Sequence, residues 1–168
     1  LVNCIKSVKN ALFVVAGTGP YEGLIKSLEK RGLPVRFLGW ITPEEIEKQT
    51  LKADLLFVPY DPNVFNNKLR TPIKLCEAMA LSTPVVVPSR TFMAKIVVEE
   101  NCGFVVPYGD VEAFENVVKK CLSEAELLSK LGSNGAKACE EKYNWEEMEK
   151  RLLELYLCLS KELLLQVG

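Results

Sequence analysis

The chain has 168 residues, 48% hydrophobic and 26% charged, which is ample for one domain with a full core and short for two. Its 21 Lys and Arg balance 22 Asp and Glu to a net charge of −1 without a block of like charge, so a broad electrostatic hold on nucleic acid or anionic lipid is not indicated. The chain has no histidine, which excludes a His general base, a Ser-His-Asp triad and imidazole metal ligands; no metal site and no cofactor are expected.

Leu1 to Asn10 reads as the tail of a helix, with Val2, Ile5 and Val8 on one side. A buried strand follows at once over 11–16, an abrupt opening that is expected of a fragment. From there strands and helices alternate: Gly17-Thr18-Gly19-Pro20, helix 20–31, strand 34–38, helix 43–51, strand 54–58, loop 59–70, helix 72–81, strand 84–87, helix 91–100 and strand 103–106. Runs such as Leu55-Leu56-Phe57-Val58 and Val85-Val86-Val87 are apolar at every position. That pattern means burial on both faces and hence a parallel sheet. The predicted architecture is a doubly wound α/β domain, a three-layer sandwich whose core includes Phe13, Val14, Phe37, Leu55, Phe57, Val86 and Val105. Beyond Asp110 only helices remain: 111–122 capped by Asp110, then 124–142, then a long helix capped by Asn144 with Glu147 closing a capping box.

The six cysteines, at 4, 76, 102, 121, 139 and 158, are dispersed without zinc-ligand or redox spacing and are expected to be reduced core residues. No apolar run approaches the ~18–20 residues that span a bilayer, and the N-terminus lacks signal-peptide features, so a cytoplasmic location is expected.

Helix 72–81 is the most informative element. Thr71 is placed to cap it and Pro72 to occupy its first position. Around Ile73, Leu75, Cys76, Ala78, Met79, Ala80 and Leu81, only Lys74 and Glu77 are strongly polar, and they share one face. Two readings stay open at this point. One is a solvated Lys–Glu pair worth ~0.2–0.5 kcal/mol. The other is a ligand at the helix N-terminus, where free N–H groups and the helix dipole attract phosphate and a carboxylate accepts sugar hydroxyls. In doubly wound sheets ligands bind beyond the carboxyl ends of the strands. Gly17 and Gly19 stand at such an end, either for a close approach to a ligand or only for a tight strand-to-helix turn.

The succession is more specific than any single motif. Ala11–Pro20, Val35-Arg36-Phe37-Leu38-Gly39, Ala53–Pro59, Glu77-Ala78-Met79-Ala80 with Pro84–Val87, Cys102–Pro107 and Asn144-Trp145 resemble, in order, the C-terminal, donor-binding half of the retaining GT-B glycosyltransferases called group 1. The resemblance implies a Rossmann-like domain that binds a nucleotide-diphosphate sugar and works with an N-terminal acceptor-binding domain absent from these 168 residues. It also implies one more strand at the start of the domain, followed by an Arg and a Lys for the diphosphate, and neither is present.

Carried over by position, Glu77 matches the second Glu of the family's Glu-x7-Glu motif, which holds the donor ribose. Trp40 and Ile41 match the backbone beside the base, and Thr71, Ile73 and Lys74 lie where the diphosphate approaches the helix. Leu69 replaces the motif's first Glu, Pro72 a residue that is usually Gly, Lys95 a common Glu and Ser82 a Gly; Pro72 and Lys74 match a subgroup of the family. No catalytic residue is assigned within the chain, and the isolated piece is expected to be inactive.

Two rivals are kept: a degenerate, non-catalytic partner-binding module, motivated by Leu69 and Lys95, and a sugar-nucleotide epimerase of the same fold, which relies on His that this chain lacks. The last helix carries Met148, Leu152, Leu155, Tyr156 and Leu159 on one face. It is expected to pack on its own domain as far as Tyr156 and to self-associate beyond it through Leu157, Leu163 or Leu164. Peripheral attachment of the full-length protein to a membrane is left open.

Overall fold

A computed structural model describes residues 10–166. Strands β1 (Phe13–Ala16), β2 (Val35–Gly39), β3 (Leu56–Phe57), β4 (Val85–Pro88) and β5 (Gly103–Val106) alternate with helices α1 (Glu22–Lys30), α2 (Pro43–Lys52), α3 (Phe65–Leu69), α4 (Ile73–Ala80) and α5 (Phe92–Glu99). Helices α6 (Val111–Ser123), α7 (Ala125–Lys142) and α8 (Trp145–Gln166) complete the chain. All strand pairings are parallel. Val2, Ile5 and Val8 lie outside the described residues.

β4 shows why its sequence is apolar throughout. Val85 and Val87 pack with Leu75, Met79, Met93, Ile96 and Val97 of α4 and α5, while Val86 packs with Phe114 and Val118 of α6. Alternate side chains thus enter two cores on opposite sheet faces. A third cluster, Leu28 and Val35 with Phe13, Val15, Ile25 and Leu33, seats α1 on β1 and β2. The buried Thr83 hydroxyl donates to Thr50 O at 3.0 Å and ties β4 to the end of α2.

The five strands form two sheets, β1–β2 and β3–β4–β5, instead of one. β1 and β3 share no ladder, which leaves β3 with a partner on one side only and shortens it to two residues. Phe114 bridges the seam. Its ring lies 6.5 Å from Phe13 and 4.6 Å from Phe57, so those two rings are at most about 11 Å apart, a span that one intervening strand at ~4.8 Å spacing would fill.

Three expectations about burial are corrected. Val14 is 45% exposed, because β1 turns Phe13 and Val15 into the α1 core and presents Leu12 and Val14 on its other, uncovered face. Cys158 is exposed, although Cys102 is buried as expected and the other described cysteines are intermediate. Helix α8 does not pack on the domain as far as Tyr156, since every described side chain from Met148 to Ser160 is exposed. The side chains of Leu163 and Leu164 fall outside the described part.

Asp110 Oδ1 accepts from Ala113 N at 2.9 Å and Asn144 Oδ1 from Glu147 N at 2.8 Å, as the sequence predicts. The capping box is left half made, because the Glu147 carboxylate pairs with Lys150 and not with Asn144 N. Ser82, just past α4, adopts φ +57°, a left-handed conformation that is unfavourable for a residue with a Cβ. Ser82→Gly is therefore expected to stabilise the protein by about 0.5–1 kcal/mol after the entropic penalty of glycine, and the midpoint of urea unfolding measures it.

Candidate functional site

The candidate site centres on the start of α4. Four of the helices are closed by a side-chain oxygen, Thr42 on α2, Thr91 on α5, Asp110 on α6 and Asn144 on α8, whereas α1, α3 and α7 share with α4 the lack of a side-chain cap. On α4 the capping position falls to Pro72 (φ −72°, ψ 143°), not to Thr71, and no side chain caps the helix. Proline has neither an acceptor side chain nor an N–H. The first amides of α4, at Ile73 and Lys74, are consequently left without a side-chain partner.

The polar face of α4 lacks the ion pair that one of the two open readings expects. Lys74 and Glu77 form no ion pair with each other. The Lys74 ammonium instead sits 5.5 Å from the centre of the Tyr60 ring, and the Arg70 guanidinium lies 5.1 Å from the same ring. Glu77 is exposed, with neither a hydrogen bond nor an ion pair through its carboxylate among the described residues. Next to it, burial pushes the Cys76 thiol above its ordinary range, with Cys139 and Glu77 adding to the effect.

The remaining expected residues form a second group on the other sheet. Gly17 turns at φ +121°, a conformation open essentially to glycine, and its N–H donates to Gly39 O at 2.7 Å. That bond draws the β1–α1 loop against the β2–α2 loop that carries Trp40 and Ile41. A cleft of about 220 Å³ lies here, walled by Gly17, Thr18, Gly19, Tyr21, Ile25 and Phe37. Trp40 is 82% exposed outside it. No hydrogen bond or ion pair among the described residues joins this group to the α4 group, though both stand where strands of their own sheet run into helices. A larger hollow of about 300 Å³, lined by Phe57, Pro88, Val106, Tyr108, Asp110 and Phe114, lies at the carboxyl ends of β3, β4 and β5 against α6 and includes no residue of either group.

Sequence reasoning missed Tyr60, Arg70 and helix α3. Nothing periodic marks them, because α3 is five residues long with Phe65 and Leu69 both exposed. The one available signal was charge: from Pro62 to Cys76 there are three cations, Lys68, Arg70 and Lys74, and no acid.

Residues 2–138 match the family described as glycosyl transferases group 1. The chain belongs to that family. It is 30% identical over 153 residues to an uncharacterized glycosyltransferase of Methanocaldococcus jannaschii, covering 88% of this chain and 37% of the relative. Among solved structures, sucrose-phosphate synthase from Thermosynechococcus elongatus superposes with a TM-score of 0.78 at 24% identity, over 96% of this chain and 41% of that one. HepE of Anabaena, solved in complex with UDP-glucose, superposes with a TM-score of 0.77 at 18% identity, over 94% and 44%. These likenesses show the Rossmann-like fold of the GT-B glycosyltransferases, and this group 1 chain spans about two fifths of the length of the proteins it matches. Among its described residues no helix is long and apolar enough to cross a membrane.

Proposed function

We propose that this glycosyltransferase chain is the donor-binding half of a retaining enzyme that takes its sugar from a nucleotide-diphosphate sugar. The observation that carries the reading is the combination at α4 of uncapped first amides, a lysine turned away from its expected carboxylate, and that carboxylate left free in Glu77. Glu77 accepts the ribose hydroxyls. The amides of Ile73 and Lys74, with Thr71 beside them and the Lys74 ammonium, receive the diphosphate. Trp40 and Ile41 lie along the base, and Gly17 and Gly19 allow the ligand close to the backbone. The UDP-glucose held by the HepE structure supports a donor of this class.

During transfer the bond from the sugar's anomeric carbon to the diphosphate breaks, the acceptor oxygen bonds to that carbon with loss of its proton, and the departing diphosphate gathers negative charge. Positive groups positioned before the reaction stabilise that charge. The acceptor site and the family's first strand belong to the rest of the protein, and that strand would enter the seam between β1 and β3. No cofactor beyond the donor itself is needed for this chemistry.

Turnover tests the reading. The full-length protein is expected to release nucleoside diphosphate from one member of a panel of nucleotide sugars, and nuclear magnetic resonance of the product is expected to show the donor's anomeric configuration kept. An inverted product would overturn retention. Nucleotide binding without turnover by any acceptor extract would favour the non-catalytic module, for which the exposed Leu69 in place of a Glu speaks.

We also propose that the isolated chain self-associates through α8. Met148, Leu152, Leu155 and Leu159 follow a three-four spacing along an exposed helix, with Tyr156 and Leu157 beside them. Sedimentation is expected to show a species heavier than the monomer that grows with concentration and disappears on truncation after Glu147. A monomer at every concentration would refute the pairing.

A further inference from the structure

We infer that Arg70 is the second positive charge of the donor's diphosphate subsite, acting beside Lys74 across the ring of Tyr60; this rests on the donor-binding reading above. Tyr60 follows β3 closely, at the end of the strand that leads toward α4. Arg70 and Lys74, one before and one inside the first turn of α4, both converge on its ring, at 5.1 and 5.5 Å.

Two like charges held on one ring repel each other, and a protein ordinarily relieves such repulsion with a carboxylate. Here the chain supplies none: neither cation has an ion-pair partner among the described residues, and the stretch from Pro62 to Cys76 contains no Asp or Glu. Elsewhere the exposed lysines 26, 95, 119, 137, 142 and 150 all sit against a glutamate. Other cations of the chain also lack a carboxylate, but only Arg70 and Lys74, among the described residues, are gathered on one ring.

Arg70 is also held in place. Its Nη1 donates to Asn67 Oδ1 at 3.3 Å, and Asn67 in turn donates through Nδ2 to Asp61 O at 3.1 Å, so the loop orients the guanidinium before any ligand arrives. A planar guanidinium and an ammonium beside open helix amides match an anion with several oxygens on two linked centres, which is a diphosphate and not a single carboxylate. The aromatic ring keeps both cations near the mouth of α4 without cancelling their charge.

The test uses the full-length protein and whichever of UDP, GDP, ADP, CDP and dTDP it binds most tightly, together with the matching nucleoside, in titration calorimetry. Arg70→Ala is expected to weaken the diphosphate by about tenfold or more, to leave the nucleoside unchanged and to flatten the salt dependence of binding. Arg70→Lys, which keeps the charge but not the planar fork, is expected to recover only part of the loss, and circular dichroism to stay unchanged, since Arg70 is exposed. Diphosphate affinity equal in parent and Arg70→Ala would overturn the assignment while leaving the donor reading intact. A parent that binds none of the five diphosphates would remove both together.

Discussion

Gly132→Ala is expected to be among the most damaging single substitutions in the chain. A Cβ at this position of α7 would stand 2.0 Å from the carbonyl oxygen of Ser82 and 2.9 Å from its carbonyl carbon. Both are backbone atoms, so no rotamer change relieves the clash. The Ser82 backbone cannot yield cheaply either: it already sits in the left-handed region, and the neighbouring Thr83 N–H is bonded to Ala78 O at 2.8 Å. α7 would have to lift away from α4, opening the contact of Gly135 with Met79 and Cys102 one turn further on. The expected loss is on the order of 3 kcal/mol, a fall in thermal midpoint of roughly 6–12 °C for a domain of this size. Calorimetric melting of the chain measures it, and a midpoint within a degree of the parent would show that α7 does not approach α4 this closely.

Glu77→Gln is expected to weaken donor binding by about 1–3 kcal/mol, roughly 5- to 150-fold, the range for removing a charged hydrogen-bond acceptor. The substitution keeps the shape of the side chain and removes its charge. Because Glu77 is exposed and its carboxylate makes no hydrogen bond or ion pair within the described residues, folding should be nearly indifferent to the change. Binding and stability are therefore expected to separate, with a large loss in nucleotide-sugar affinity at an unaltered melting midpoint. Unchanged affinity would refute the ribose contact.

Much of the fold was legible because it rests on local pattern. Val85-Val86-Val87 is apolar at each position since it feeds two cores, and Asp110 and Asn144 announced their helices by chemistry that acts within three residues. The errors fall where distant parts of the chain decide. Val14 was expected in the core because its neighbours are apolar, yet only one face of β1 is covered. The division of the sheet depends on what lies between β1 and β3, a relation between strands forty residues apart that no periodicity records. Likewise α8 has a broad apolar face in sequence, but sequence does not say what meets it. On α4 the exposed polar face of Glu77 and Lys74 was legible from their isolation on an apolar helix, while the donor-binding role proposed for it comes from the family resemblance. Tyr60 and Arg70 were not, because their meeting depends on how the loop between β3 and α4 folds back.

The central claim is that the start of α4 receives a nucleoside diphosphate, and titration calorimetry of the full-length protein against UDP, GDP, ADP, CDP and dTDP tests it most directly. One of the five is expected to bind saturably at a single site, to be displaced by its own nucleotide sugar and to be weakened by Glu77→Gln. No heat from any of the five, in a protein whose circular dichroism shows it folded, would contradict the claim.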